Sequence, residues 1–452
     1  MTLKNEILSF LHFHTPTSEQ KSALEGLSSF VDENASDDFF ILSGAAGTGK
    51  TSITSALIGY LNEIKVAYKI AAPTGRAARI LGKKSKTVSN TIHSLIYNTE
   101  TNVETGVTTW KLKKMRSDAY TIFIVDEASM ISSKVTKQEM YNADDSLLSN
   151  LLKYIKSGNP KNKVIFLGDK NQLPPYSEID SLALDPNHLR SKYHLKGSFH
   201  YLTEVKRVED GSYILKNATK LRKSIDENSP LPELEANLMK HVWDAAKEYA
   251  KEFDPSNFEK SVAIGRSHKA NNKFNEEVRK SLFGSAAPLI VTGDLLIVLQ
   301  NWRRGDKTLY NGDHILIEDI DLSKVEEVRG IKFVPAKIKA QALDGTFQII
   351  EDYLMLDTLL YEDSKIPFTI ENEFRAERFR KNKVFASSAN PEDDRYVGAI
   401  RIGYGYAITC QKAQGGEWDK VYLNVFGVQD KKWLYTAVTR AKQELNVYGL
   451  PK

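Results

Sequence analysis

Short apolar runs alternate with amphipathic stretches through the first half of the chain. FFILSG (39–44), AYKIAAP (67–73), TIFIVDE (121–127) and KVIFLGD (163–169) each end in Gly, Pro or acidic residues. Apolar runs of that length, separated by helical patterns, predict parallel strands buried on both faces. Ligands of open α/β sheets gather outside the carboxyl ends of the strands, and the polar punctuation falls at those ends. Residues 96–117 break the pattern. They are polar and Thr-rich with Gly106 near the middle, which predicts a hairpin insertion. Residues 210–260 are helical and strongly charged, and SVAIGRSH (261–268) opens a second α/β unit. From 311 to 395 the pattern is mostly β, in HILIEDI, KFVPAKIKAQAL and FQIIEDYLML, and predicts a small barrel-like insert. RIGYGYAITC (401–410), KVYLNVFG (420–427) and LNVYGL (445–450) return to buried strands.

The turns that close these runs carry candidate chemistry. GAAGTGKT (44–51) has the spacing G-x-x-x-x-G-K-[ST] between an apolar run and a helical one. In that context glycines let backbone N–H groups converge on phosphates at a helix N-terminus. Gly44, Ala45, Ala46, Gly47, Thr48 and Gly49 are therefore candidates for cradling the phosphates of a nucleotide. Lys50 would reach the β- and γ-phosphates and Thr51 would ligate Mg²⁺. IFIVDEAS (122–129) supplies, at another strand end, Asp126 for the metal and Glu127 as the base that activates water. FLGDKNQLPP (166–175) adds Gln172, an uncharged group able to bond both a γ-phosphate and water. Read alone it is a turn residue ahead of Pro174 and Pro175.

Composition narrows the class without choosing a substrate. A chain of 452 residues is long enough for two to four domains at roughly 100–200 residues each. A balance of 62 Lys+Arg against 58 Asp+Glu points only weakly to a polyanionic partner. The basic runs KLKKMR (111–116) and RFRKNK (378–383) read as solvated faces. The single cysteine, Cys410, excludes an internal disulfide framework. As a nucleophile it would need a neighbouring base, which TCQKAQGG (409–416) does not supply, so a buried spacer is expected. No stretch approaches the ~18 consecutive apolar residues of a membrane span. MTLKNEILSF lacks a signal-peptide pattern, and a cytoplasmic protein is expected.

Taken together, GAAGTGKT, DEAS and GDKNQLPP resemble motifs I, II and III of superfamily 1 helicases. TSEQKSAL (17–24) resembles the family's Q motif, in which Gln20 would read adenine. APTGRAA (72–78) resembles motif Ia and TIHSL (91–95) the motif Ib region. LTEVKR (202–207) resembles the segment ending in an arginine, Arg207, that contacts the γ-phosphate. YAITCQKAQGGEWDKVYL (406–423) resembles motif V, and YTAVTRAK (435–442) motif VI, with Arg440 as a second arginine finger. The matches run in the family's order from Gln20 to Lys442. PTGRAA, TIHSL, GDKNQLPP and GDLLIVLQN…LYNGD (293–313) point to the RecD-like and Dda-like branch.

The resemblance implies an α/β fold of two RecA-like parallel-sheet domains with a hairpin insertion and an SH3-like β-barrel insertion. The first domain would comprise 1–95 and 118–195, and the hairpin 96–117. The second would comprise 196–310 and 396–452, and the barrel 311–395. It implies ATP and Mg²⁺ as cofactors, bound between the domains with Gln414 and Gly415 facing the nucleotide. Single-stranded DNA would be tracked 5′ to 3′, with Pro73, Thr74, His93 and Thr409 at its phosphates. Trp110 would be a duplex-splitting pin or a stacking platform, and the barrel would help to hold DNA. Fork and tailed duplex DNA are implied partners, with single-strand-binding or replication and recombination proteins as further candidates. A monomer is expected, with no membrane partner. The family usually carries histidine where this chain has Gln411. A translocase that strips bound proteins with little unwinding, and an RNA-directed motor of the same superfamily, stay open as alternatives.

Overall fold

The computed structural model describes residues 7–11, 15–45, 47–101, 108–137, 141–204, 212–342 and 345–450. The chain divides into two compact units. One comprises Met1–Glu100 with Thr109–Gly211, the other Thr101–Thr108 with Ser212–Lys452.

The first unit is built on a six-stranded, all-parallel sheet. Its strands lie in the order Gly197–Leu202, Phe39–Gly44, Lys163–Gly168, Thr121–Val125, Ala67–Ala72, Ser89–Thr91. The apolar runs are continuous because the sheet separates two cores, and strand side chains alternate between them. Phe39, Ile41, Phe123, Val125, Val164 and Phe166 face one core, under helix Leu147–Gly158. Phe40, Leu42, Ile122, Ile124, Ile165 and Leu167 face the other, under helices Ser18–Phe30 and Lys50–Glu63.

Two boundaries differ from expectation. Gly197–Leu202 pairs with Phe39–Gly44 along its whole length, so this sheet extends past residue 195. GSFHYL lies at a sheet edge and is mostly half-buried, so it lacks the unbroken apolar signature of the central strands. The polar insertion is also half of a larger structure. Tyr97–Thr101 and Thr108–Leu112 form a four-stranded sheet with Tyr141–Ser146 and Val135–Lys137. The second pair, VTK and YNADDS, is short and mostly polar and gives no apolar alternation to read. Residues 102–107, between the first two strands, lie outside the described residues.

The second unit holds a five-stranded, all-parallel sheet in the order Asn237–Leu238, Ala441–Tyr448, Trp418–Asn424, Ser261–Gly265, Ala407–Thr409. Beside it a five-strand barrel closes through His314–Ile320, Leu295–Val298, Ile400–Tyr404, Phe347–Met355 and Ile331–Gln341, the last pairing back to the first. The barrel therefore takes in strands on both sides of 311–395. LLIV (295–298) is fully buried and reads like any core strand. Asp294 ties the two parts together: its buried carboxylate accepts from Arg279 Nε at 2.8 Å and from the Tyr406 hydroxyl at 3.0 Å. Among the described residues no helix is long and apolar enough to cross a membrane.

The basic helix Phe368–Lys381 spends much of its charge internally. Glu371 is buried and bonds Arg375 at 3.1 Å and Arg401 of the barrel at 2.6 Å, while Arg378 meets Asp394 at 2.9 Å. The arginine pair holds the Glu371 carboxyl below the usual carboxylate range although burial pushes it up. Removing one member of a buried ion cluster strands the others. Glu371→Ala should therefore destabilise the second unit by about 3–5 kcal/mol, read by urea denaturation. A loss within the ~0.5 kcal/mol of ordinary surface changes would show that the cluster does not hold the barrel to its helix.

Candidate functional site

The carboxyl ends of the first sheet divide into two neighbouring groups, because strand order differs from chain order. Phe39–Gly44, Lys163–Gly168 and Thr121–Val125 are adjacent, and they end in the phosphate-loop sequence, Asp169–Gln172 and Asp126–Glu127. Ala67–Ala72 and Ser89–Thr91 come next, ending at Pro73–Thr74 and at Thr91–His93.

The phosphate-loop sequence turns from strand Phe39–Gly44 into helix Lys50–Glu63. Gly49 sits in the left-handed region at φ 88°, and a Cβ there would lie 2.6 Å from Gln20 Nε2. Gln20 is buried. Its Nε2 donates to the Thr48 carbonyl at 2.9 Å and its Oε1 accepts from the Thr17 N–H, as Thr17 caps helix Ser18–Phe30. Gln20 thus braces the loop. Lys50 Nζ donates to the carbonyls of Gly44 and, at 3.0 Å, Ala45, and so lies along the loop that it serves. Thr51, one step into the helix, is exposed. Ala46 lies outside the described residues, as does Arg207.

Glu127 adopts φ 50° and ψ 38°, left-handed backbone that a non-glycine residue adopts at a cost of order 1–3 kcal/mol. Its N–H donates to Asp126 Oδ1 at 2.8 Å. Asp126 is half-buried, and burial raises its pKa against the opposing pull of that N–H and of Lys50 and Lys84. Gln172 is buried, and its Oε1 has no hydrogen-bond partner among the described residues. The Ser129 hydroxyl is also buried without a partner among the described residues. Each such orphan costs about 1–3 kcal/mol until a donor or water arrives. Ser129 escaped the sequence reading because only its place after DEA, with no chemistry of its own, marks it.

Thr74 caps helix Gly75–Ser85, and Thr91 caps helix Ile92–Ile96. His93 packs on Trp110 with ring centroids 4.7 Å apart, and Trp110 stacks on Tyr97 at 5.7 Å. Asn150 Nδ2 fixes the Tyr97 hydroxyl at 2.9 Å. Trp110 is thus a packed member of an aromatic cluster at the foot of the small sheet.

In the second sheet, Thr409 ends edge strand Ala407–Thr409 and caps the short helix Cys410–Ala413. The chain then crosses to Gln414–Gly416, ahead of the amino end of strand Trp418–Asn424. Arg440 waits at that same end of the sheet, just before strand Ala441–Tyr448. It is buried. Its guanidinium donates to the carbonyls of Gly416 at 3.0 Å and Thr436 at 3.0 Å and to the Thr439 hydroxyl at 3.2 Å. Gln414 is buried and Gly415 takes φ 75°. Cys410 Sγ rests 3.6 Å from the Trp433 carbonyl, and burial pushes its thiol up, away from the thiolate that a nucleophile needs. Lys412, missed in the sequence reading, is partly buried and has no carboxylate partner among the described residues. Burial lowers its ammonium to about 8.

A phosphate loop, an acid pair and a buried glutamine on three adjacent parallel strands define a nucleoside-triphosphate-binding protein of the P-loop class. Comparison with known proteins narrows this. Residues 28–178 match the AAA domain family and residues 404–448 the UvrD-like helicase C-terminal domain family. The ATP-dependent RecD2 DNA helicase of Deinococcus radiodurans is 29% identical over 160 residues, which is 35% of this chain and 19% of that relative's own length. The ATP-dependent DNA helicase dda of Enterobacteria phage T4 is 24% identical over 439 residues, 89% of this chain and 93% of that protein. The crystal structure of Pif1 helicase from Candida albicans matches with a TM-score of 0.52 at 15% identity, over 97% of this chain and 95% of that one. The chain thus carries an AAA-domain match in its first unit and a UvrD-like helicase C-terminal match in its second, and it shares the fold of the Pif1 structure.

The aromatic cluster generates a pH prediction. Burial brings His93 down to about 4, so the ring is neutral at neutral pH and would meet a phosphate as a hydrogen-bond donor, not a cation. The folded value lies below the ordinary one of ~6.5, so this contribution to stability is complete above about pH 6.5 and lost as pH falls toward 4. His93→Phe should remove up to about 2 kcal/mol of the acid destabilisation between pH 7 and 5, measured by denaturant titration at both. Equal acid sensitivity in both proteins would show that the ring is free to protonate.

Proposed function

We propose that this protein is an ATP-dependent DNA helicase that moves 5′ to 3′ on single-stranded DNA. The observation that carries the reading is the clustering of the phosphate loop, Asp126–Glu127 and Gln172 on adjacent strand ends, with Thr74 and Thr91–His93 on the next two. That one sheet edge carries both sets of residues supports a reading in which hydrolysis sits beside strand contact. Its relatives, named as DNA helicases, supply the substrate class.

In this reading Gly44 to Gly49 cradle the phosphates, with Gln20 behind the loop and its remaining amide capacity free for adenine. Lys50 exchanges its loop carbonyls for β- and γ-phosphate oxygens. Glu127 takes the proton of the attacking water, and the unpartnered Gln172 Oε1 accepts from that water. Arg207 and Arg440 stabilise charge on the transferred phosphoryl. Magnesium, when bound, would screen phosphate charge. Asp126 and Thr51 suit it, since such an ion is held by one or two protein groups plus phosphates. Among the described residues no larger cage of His, Cys, Asp or Glu gathers. The strand's phosphates meet Pro73, Thr74 and His93 on one unit and Thr409 on the other, where Lys412 offers an ammonium with no carboxylate partner among the described residues.

Glu127→Gln separates binding from chemistry. It should hold ATP with wild-type affinity while DNA-stimulated turnover falls about 10²–10⁴-fold. Unchanged turnover would remove Glu127 as the base.

A further inference from the structure

At the carboxyl edge of the second sheet is a concavity of about 410 Å³, lined by Arg266, Ser267, Ala270, Asn424, Phe426 and Gly427. It lies where adjacent strands Ser261–Gly265 and Trp418–Asn424 end, and Thr409 ends the next strand in the same sheet. Phe426 is 74% exposed. A single exposed apolar residue needs no explanation by itself, but this one stands in a built turn. Asn424 Oδ1 accepts from the Phe426 N–H at 3.0 Å, the Val425 N–H donates to Tyr448 at 3.0 Å, and Gly427 takes φ 66°. Arg266 Nη1 donates to the Gly427 carbonyl at 3.0 Å, which sets the guanidinium beside the ring's turn. Thr409 ends the strand beside Ser261–Gly265 on this same edge, and His268, which opens the helix after Arg266, is close enough to Lys412 to feel its charge, although burial is the larger influence on its ring.

We propose that this concavity seats a nucleobase of the tracked single strand, stacked on Phe426 with Arg266 at its rim. The inference rests on the reading that the protein binds single-stranded DNA through Thr409. The chemistry matches: a π-face takes any base without sequence preference, and an adjacent guanidinium suits the polyanionic strand. The backbone-pinned turn means that the ring is presented before the strand arrives, so little ordering is needed on binding.

The test uses the full chain and a fluorescent oligo-dT in anisotropy titrations, with a matching strand in which abasic sites replace the bases. Phe426→Ala should weaken binding to oligo-dT about 5- to 100-fold, the range of one base–aromatic stack. It should bind the abasic strand as wild type does, and Phe426→Trp should restore affinity for the full strand. Cross-linking of 5-iodouracil-substituted DNA to wild type should place an adduct on Phe426. Equal affinity of wild type and Phe426→Ala for oligo-dT would overturn the stack while leaving the helicase reading intact. An equal loss on the abasic strand would overturn it too, since the effect would then lie outside the base. Failure of wild type to bind single-stranded DNA at all would instead overturn the reading on which the inference rests.

Discussion

The parallel register of the two α/β sheets is the constraint on which the rest depends. Each strand of a parallel sheet ends on the same edge as its neighbours, and the chain must turn there into a crossover. Five such turns among the described residues of the first unit therefore face one side. Strand order then decides which turns become neighbours. It puts the phosphate loop beside Asp169–Gln172 and Asp126–Glu127, and leaves Thr74 and Thr91 to the outer strands. None of these residues is near its functional neighbours in sequence. The burial of alternate strand side chains in two separate cores makes the arrangement rigid.

The second sheet uses the same geometry differently. Segment Thr409–Gly416 leaves the carboxyl edge and arrives at the amino edge, where Arg440 holds the Gly416 carbonyl. A proposed strand contact and a proposed phosphoryl contact are thus joined by eight residues and one guanidinium. Cys410 is the buried peg of that crossover. Burial pushes its thiol up, away from the thiolate, so it serves as packing and not as a nucleophile.

Much of this was legible in the sequence because phosphate chemistry needs special residues at fixed spacings. GAAGTGKT, DEAS and GDKNQLPP each follow a buried run, and the structure sets all three on one edge. What escaped notice lacked a local signal. Strand Gly197–Leu202 is a half-buried edge strand, and Val135–Lys137 pairs with Tyr141–Ser146 through backbone groups that mostly polar sequences do not advertise. Barrel strand Leu295–Val298, which lies outside 311–395, is as apolar as a sheet strand, so hydropathy alone could not assign it. The basic run at 378–383 looked available, yet Arg378 is committed to Asp394, a partner sixteen residues away. Lys412 and Ser129 could be recognised only by a missing partner, which is a property of three-dimensional surroundings.

The central claim is that ATP hydrolysis on this fold drives movement along DNA in one direction. The most direct measurement is displacement of a labelled strand from duplexes carrying a single-stranded tail at either the 5′ or the 3′ end, with ATP and Mg²⁺. The account predicts displacement from the 5′-tailed duplex, abolished by Lys50→Ala, and none from the 3′-tailed one. Displacement that favours the 3′ tail, or that persists without Lys50, would contradict it.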